Sequence, residues 1–310
     1  MNSEPSRRKF LAQLGLTTVA ASLPGWAEAF TGGESAASAM QLGCAAIAWG
    51  GKDAQAIREV GSLGFKGIQL RSNIYAEYGT KPEALKALLD EANIQMPVFS
   101  SGNANINLGT DEAKAQLEKH VGHARLVKGV GGKFLQLTNS SRPKEGKPTP
   151  EDLKKYGTLL TEIGKRTADE GITAVYHNHM EQLGETPEEV DQILAAVDTR
   201  YVKLLLDVAH YTQGGGNPAK AIGQYASILQ VMHLKDVRAM TDATSNRRYQ
   251  FVELGQGRVD LPAVFTALDK IKYSGWAIVE LDSVPDPSRT PLEASTISRD
   301  YLRGKLKMKI

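Results

Sequence analysis

The sequence predicts an α/β protein built as a single (β/α)8 barrel, the TIM-barrel architecture. From Met40 onward, eight short apolar runs alternate with eight longer amphipathic ones, and regular β–α alternation calls for a parallel sheet. The apolar runs are mostly continuous, as in strands buried on both faces. Eight such units in about 270 residues match the usual size of one closed barrel. A doubly wound open sheet is the alternative. It would place a glycine-rich fingerprint after its first strand, and Trp49-Gly50-Gly51-Lys52 is too poor for one.

Taken in order, the strands are expected at 42–49, 67–70, 96–100, 133–138, 173–179, 202–210, 229–235 and 276–281. The helices between and after them are expected at 53–63, 81–93, 111–128, 150–170, 187–197, 218–225, 261–271 and 291–303. Several open on start signals: Thr80 before Lys81-Pro82, Thr149-Pro150-Glu151-Asp152, and Thr186-Pro187-Glu188-Glu189. Threonine caps the first free N–H groups, and proline is tolerated at the first helical position. The segment Gly129-Val130-Gly131-Gly132-Lys133 imitates a phosphate loop but precedes a strand and lacks Ser or Thr after the lysine. Both glycine clusters read as turns.

Residues 1–29 stand apart from the barrel. Ser6-Arg7-Arg8-Lys9-Phe10-Leu11 leads into a weakly apolar run ending at Leu23, then Ala27-Glu28-Ala29, an A-x-A cleavage site. A basic, an apolar and a small-residue region in that order make a secretory signal. The paired arginines followed by Phe-Leu resemble the twin-arginine export signal of bacteria. That route carries folded proteins, so the resemblance implies a periplasmic location with any metal loaded beforehand. The apolar run is shorter than the ~20 residues that span a bilayer. Residues 30–39 read as a flexible leader and 40–310 as the barrel.

Composition excludes several classes. With 37 Lys+Arg against 35 Asp+Glu, the chain lacks the basic excess of a nucleic-acid-binding surface. A single cysteine, Cys44, allows no internal disulfide and no cysteine zinc site. Histidine and carboxylate are the metal ligands left.

These groups gather where a barrel keeps its active site, at the C-terminal ends of the strands. Four of the six histidines, His177, His179, His210 and His233, fall at the ends of three consecutive strands. Asp207 and Glu280 end the sixth and eighth strands. Alternation along a strand puts His177 and His179 on one face. If it is the inner face, Asp207, His233 and Glu280 can meet them there. Such a mixed set suits one divalent ion of Mn, Co, Fe or Zn. Taken singly, Asp207 could cap a turn and Glu280 could pair with a cation. His120 and His123, three apart on a helix, read as surface or packing residues.

The strings Tyr176-His-Asn-His-Met180, Leu206-Asp207-x-x-His210, Met232-His233-Leu-Lys-Asp236, Gly255-x-Gly257 and Glu280 resemble the xylose-isomerase-like barrel superfamily. That group includes sugar epimerases, inosose dehydratases and an abasic-site endonuclease branch. The resemblance implies a metal held by Glu, Asp, His and Glu on strands five to eight. Asp207, His233 and Glu280 match the last three, His210 matches a substrate-contacting histidine, and His177 replaces the first glutamate. The run Tyr176–Met180 with Pro291-Leu-Glu293 is closest to the inosose dehydratase branch.

The expected function is therefore a metal-dependent isomerase or epimerase acting on a keto-sugar through a metal-stabilised enediolate. An inosose dehydratase-like or keto-glycoside lyase is the alternative. His177, Asp207, His233 and Glu280 are the expected ligands, with His179 an alternative to His177. Glu280, His177 and His210 are the expected catalytic groups. His179, His210, Lys235, Gln69 and Arg71 are expected at the substrate, although Arg71 reads equally as half of a surface ion pair. The partner is a small carbohydrate or cyclitol, with neither nucleic acid nor, after signal cleavage, membrane. A nuclease would need a cationic groove, and a non-catalytic sugar-binding barrel would have no use for metal ligands.

Overall fold

The computed structural model of the chain describes residues 40–138, 140–240 and 248–310. The expected export signal and leader lie outside the described residues. Eight parallel strands close into a barrel: β1 Gln41–Ala45, β2 Gly67–Arg71, β3 Gln95–Asn103, β4 Phe134–Thr138, β5 Thr173–His177, β6 Val202–Asp207, β7 Leu229–Leu234 and β10 Trp276–Val279. β1 closes the ring by pairing with both β10 and β2. Helices follow the strands: α1 Asp53–Ser62, α3 Pro82–Glu91, α4 Thr110–Gly129, α5 Pro150–Asp169, α6 Pro187–Ala196, α8 Pro218–Gln224, α9 Leu261–Lys270 and α10 Pro291–Gly304. Two short helices, α2 Tyr75–Tyr78 and α7 Val208–Gln213, sit in loops. After β7 comes an antiparallel hairpin, β8 Asp236–Ala239 with β9 Tyr249–Val252. Among the described residues no helix is long and apolar enough to cross a membrane.

The expected helix starts hold at α5 and α6. Thr149 accepts the N–H of Asp152 while the Asp152 carboxylate accepts that of Thr149, and Thr186 accepts the N–H of Glu189. Thr80 does not cap α3; the flanking residue is Lys81, and no side chain bonds the first turn. Two apolar layers follow from strand alternation. Outward residues pack under the helices in one large cluster. Inward ones, Ala45, Val98, Val175, Leu205, Val231 and Ile278, fill the barrel. Gly67 is required at its base: a Cβ there would lie 2.4 Å from the Trp276 ring.

Five expected strands stop early, the seventh at Leu234 and the eighth at Val279 among them. The first bends at Ala46 into a 3-10 turn, Ala46–Trp49, that ends on left-handed Gly50. The sixth stops at Asp207 because its Oδ1 accepts the N–H groups of Ala209 and His210, at 2.9 and 2.8 Å, and so starts α7. A side-chain acceptor offered to the backbone competes with the strand ladder. The fifth stops at His177, which leaves His179 in the following loop. His120 and His123 are packing residues: both are buried on α4, and each Nδ1 meets the Ser101 hydroxyl, at 2.6 and 2.7 Å.

Candidate metal centre

Each inner apolar residue of four strands is followed, two positions on, by a polar one. The pairs are Val175/His177, Leu205/Asp207, Val231/His233 and Ile278/Glu280. Period two puts each pair on the inner face, so the polar layer lies one step above the apolar plug. Register sets Asp207 opposite His233, whereas Glu280 lies two residues beyond Ile278, the β10 residue opposite the same histidine. One donor atom from each of His177, Asp207, His233 and Glu280 comes within 4.8 Å of the others. Asp207 Oδ2 lies 3.5 Å from both His177 Nε2 and His233 Nδ1, and Glu280 Oε1 lies 3.4 Å from His233 Nδ1.

The donor set fits a divalent cation. His177 Nε2, His233 Nδ1 and Asp207 Oδ2 are buried with no hydrogen-bond partner among the described residues. Buried polar atoms normally have partners, and here three without one converge. Two of the three side chains are oriented by contacts of their other atoms. The Gln69 amide donates to Gln136 Oε1 at 2.6 Å, which turns Gln69 Oε1 toward His233 Nε2 at 2.9 Å. His233 therefore carries its fixed proton on Nε2 and faces the centre with Nδ1. Asp207 is committed through Oδ1 to α7 and presents Oδ2. Asn178 exchanges two hydrogen bonds with the Asp207 backbone, at 2.9 and 3.2 Å, and ties the β5 loop to β6.

Charge follows from burial and neighbours. Burial pushes the His177 imidazole down to about 4, so its ring is neutral. Burial also opposes a charge on His233, but Glu280 and Asp207 outweigh it and lift the ring to about 9. Burial opposes ionisation of Glu280, and His233 with Lys235 overcomes this and holds the carboxyl well below its usual range. Asp207 is held low against burial by His210, Lys235 and its neighbouring imidazoles. Two carboxylates thus face each other with a proton of His233 between them.

Around this centre the other expected residues divide. His210, buried on α7, accepts the Met180 N–H on Nδ1 at 3.2 Å, and its Nε2 lies 3.3 Å from Lys235 Nζ. Both neighbours are donors, and a neutral ring has one lone pair. Lys235 has carboxylates as other acceptors and the amide has none, so the ring proton belongs on Nε2, 3.9 Å from Asp207 Oδ2. His179 is outside the ligand group; it stacks on His210 with centroids 3.9 Å apart and meets Met180 O through Nδ1.

Lys235 differs from expectation. Its ammonium is fully buried, 3.0 Å from Glu280 Oε1 and 2.5 Å from Asp282 Oδ1, and Phe251 covers it at 4.2 Å. It is a fixed counter-charge in the wall, not an arm toward substrate. Gln69 differs too, since both ends of its amide are engaged inside the barrel rather than offered to sugar hydroxyls. Arg71, half-buried at the end of β2, has no ion-pair partner among the described residues. Sequence reasoning missed Gln136, Asn178, Asp282 and Phe251. Period two from the conspicuous Gln136 in an apolar strand could have found the first.

Above the centre opens a cleft of about 830 Å³. The loop after each ligand-bearing strand contributes to it: Met180 after β5, Gln213 after β6, Tyr249 and Phe251 after β7, and Asp282 after β10. The hairpin is anchored by Asp236, whose carboxylate accepts the N–H groups of Val237, Gly255, Gly257 and Val259 at 2.8–3.0 Å. Gly257 must be glycine, because a Cβ would lie 2.2 Å from Asp236 Oδ1.

Fold and centre together define a (β/α)8 barrel with a mixed histidine–carboxylate site at its strand ends. The chain belongs to the xylose isomerase-like TIM barrel family, whose model matches residues 57–303. Among curated relatives, an inosose dehydratase of Clostridium beijerinckii is 27% identical over 297 residues, covering 86% of this chain and 97% of that protein. Among solved structures, the IOLI protein with a binding zinc atom superposes with a TM-score of 0.72 at 21% identity, covering 87% of this chain and 99% of that one. D-psicose 3-epimerase of Clostridium cellulolyticum H10, solved with D-tagatose, gives 0.69 at 17% identity over 87% and 99%. The two structural likenesses concern the fold.

Proposed function

We propose that this protein is a divalent-metal-dependent enzyme that removes a proton next to the carbonyl of a keto-sugar or cyclitol. The observation that carries this reading is the convergence of three partnerless donor atoms and Glu280 on one buried point. His177, Asp207, His233 and Glu280 would hold the ion. When bound, a divalent ion is a Lewis acid that polarises a carbonyl and acidifies the neighbouring C–H. Mn, Co, Fe and Zn all suit two imidazoles and two carboxylates. The IOLI structure, whose fold this chain shares, holds a binding zinc atom, which supports a metal in this chain.

Elimination is the outcome the geometry supports best. Glu280, kept ionised by His233 and Lys235, accepts the proton from the carbon beside the carbonyl. The C–O bond one carbon further breaks, and the departing oxygen, hydrogen-bonded by His210 Nε2, takes up the proton that Glu280 carries. An unsaturated ketone and water, or an alcohol, result. Epimerisation through two glutamates on opposite substrate faces is not assembled here, because His177 stands where the first would be. Inosose dehydratases among the relatives support the same outcome. Isomerisation or epimerisation is the second reading, favoured by the stacked His179–His210 pair, which supplies a neutral imidazole as a second proton carrier.

The test is metal analysis of protein purified without chelator, then NMR of products from inososes, keto-sugars and 3-keto-glycosides. Loss of water or alcohol supports elimination; an inverted centre with no loss supports epimerisation. Full metal occupancy and activity in the double variant Asp207→Ala, His233→Ala would sink the proposal. We further propose twin-arginine export to the periplasm, supported by Arg7-Arg8 and the Ala27-Glu28-Ala29 site. Retention of the full-length chain in the cytoplasm on cell fractionation would refute it.

A further inference from the structure

The cleft is much larger than the reaction just proposed requires. At about 830 Å³ it lies in the upper part of the range that encloses drug-sized ligands, and one six-carbon ring fills only a fraction of it. It adjoins the wall of the centre: His179 and Asp282 line it, and they touch His210 and Lys235. On β9, Tyr249 and Phe251 are two apart and share a face, with ring centroids 5.4 Å apart. Phe251 is the inner of the two, packed on His210 at 4.8 Å and over Lys235. Tyr249 is the outer, its hydroxyl donating to Glu181 at 3.1 Å.

An aromatic strip leading away from a reaction centre offers a flat apolar surface at the depth of a second ring. Acceptors predominate around it, with Arg248 the one cation of the lining among the described residues. Glu181 and Glu185 line the cleft with Gln213, and each retains lone pairs beyond its present contacts. A pyranose matches this combination, with C–H groups on its faces and hydroxyl donors around its edge.

We propose that the cleft is a second carbohydrate subsite, so that the substrate is a neutral keto-glycoside of at least two rings. The reacting ring lies at the centre, and the second ring stacks on Tyr249 with its hydroxyls on Glu181 and Glu185. This rests on the metal-dependent reading above and adds the identity of the leaving group, a sugar alcohol in place of water. Atoms balance as before: the glycosidic C–O bond breaks, and the proton that Glu280 took from carbon goes to the departing sugar oxygen.

The experiment compares 3-keto-glucose, 3-keto-cellobiose and an aryl 3-keto-glucoside as substrates of the metal-loaded full chain. Saturation-transfer NMR with unreactive glucose and cellobiose supplies a readout independent of turnover. The expected result is kcat/KM at least about tenfold higher for the two-ring sugar, with transfer to both cellobiose rings. Tyr249→Ala is expected to remove that advantage while metal content stays unchanged. Equal behaviour of one-ring and two-ring sugars, in turnover or in transfer, overturns the subsite and leaves the metal-dependent reading standing. An advantage confined to the aryl glucoside overturns a carbohydrate occupant in favour of an apolar one. If nothing turns over, both cellobiose rings receiving transfer in wild type but not in Tyr249→Ala still supports the subsite, and the failure falls on the reaction.

Discussion

At the scale of single residues, the site depends on side chains that would never touch a substrate. Gln69 is the clearest: its carbonyl fixes the His233 proton on Nε2 and so frees Nδ1. Gln69→Ala is expected to weaken metal binding 10- to 100-fold, the usual loss when a ligand's outer partner is removed. It should also cost about 1–3 kcal/mol of stability, because a buried N–H loses its acceptor. Competition titration against a chelating dye measures the first and denaturant unfolding the second. The ligand-bearing residues were legible in the sequence because histidines and carboxylates are conspicuous at the ends of apolar strands. Gln69 drew notice for the wrong reason, since sequence shows that a polar residue ends a strand but not which neighbour it meets across the barrel. Lys235 was misread likewise, because its three close partners lie on the segments after β6 and β10, at least 25 positions away in sequence.

The β3–α4 contact and the hairpin belong to the scale of elements. His120 and His123 tie α4 to Ser101, and burial lowers them to about 3 and about 4 against an ordinary 6.5. The folded state therefore resists protonation that the unfolded chain accepts. Their stabilisation is complete above pH 6.5 and is lost as pH falls toward 4. By pH 5 the loss is roughly 2 kcal/mol per imidazole, at ~1.4 kcal/mol for each unit. Calorimetry from pH 7 to 4.5 should show a falling Tm, with a shallower slope in His120→Asn; identical slopes would refute the assignment. In the hairpin, Gly257→Ala forces a Cβ onto the Asp236 carboxylate and is expected to cost about 1–3 kcal/mol. Limited proteolysis should then cut between β8 and β9 sooner than in wild type. The hairpin escaped the sequence reading because its strands are only four residues each and interrupt their apolar residues with polar ones.

For the whole molecule, alternation of element types was enough to predict the barrel, while closure was not readable. Closure rests on pairings such as Gly43 with Ile278 and on the fit of Trp276 over Gly67, which relate residues more than 200 positions apart. Strand ends were overestimated wherever a capping side chain intervened, as at Asp207. Because the candidate ligands come from β5, β6, β7 and the segment after β10, a bound ion would link half of the ring. Metal removal by chelation should lower Tm, and returning Mn or Co at about 1,000 times Kd should restore about 4 kcal/mol. A Tm indifferent to both treatments would mean that no ion binds.

Asp207 divides its two oxygens between different tasks. Oδ1 starts a helix and Oδ2 faces the buried point where the four side chains meet. No other side chain can inherit both tasks: asparagine would keep one oxygen but turn an amide donor inward, and glutamate is one carbon too long for the helix start. Selection for a foldable chain and selection for a working one would therefore press on the same carboxylate. This position should tolerate drift least, even in descendants that have abandoned the original chemistry.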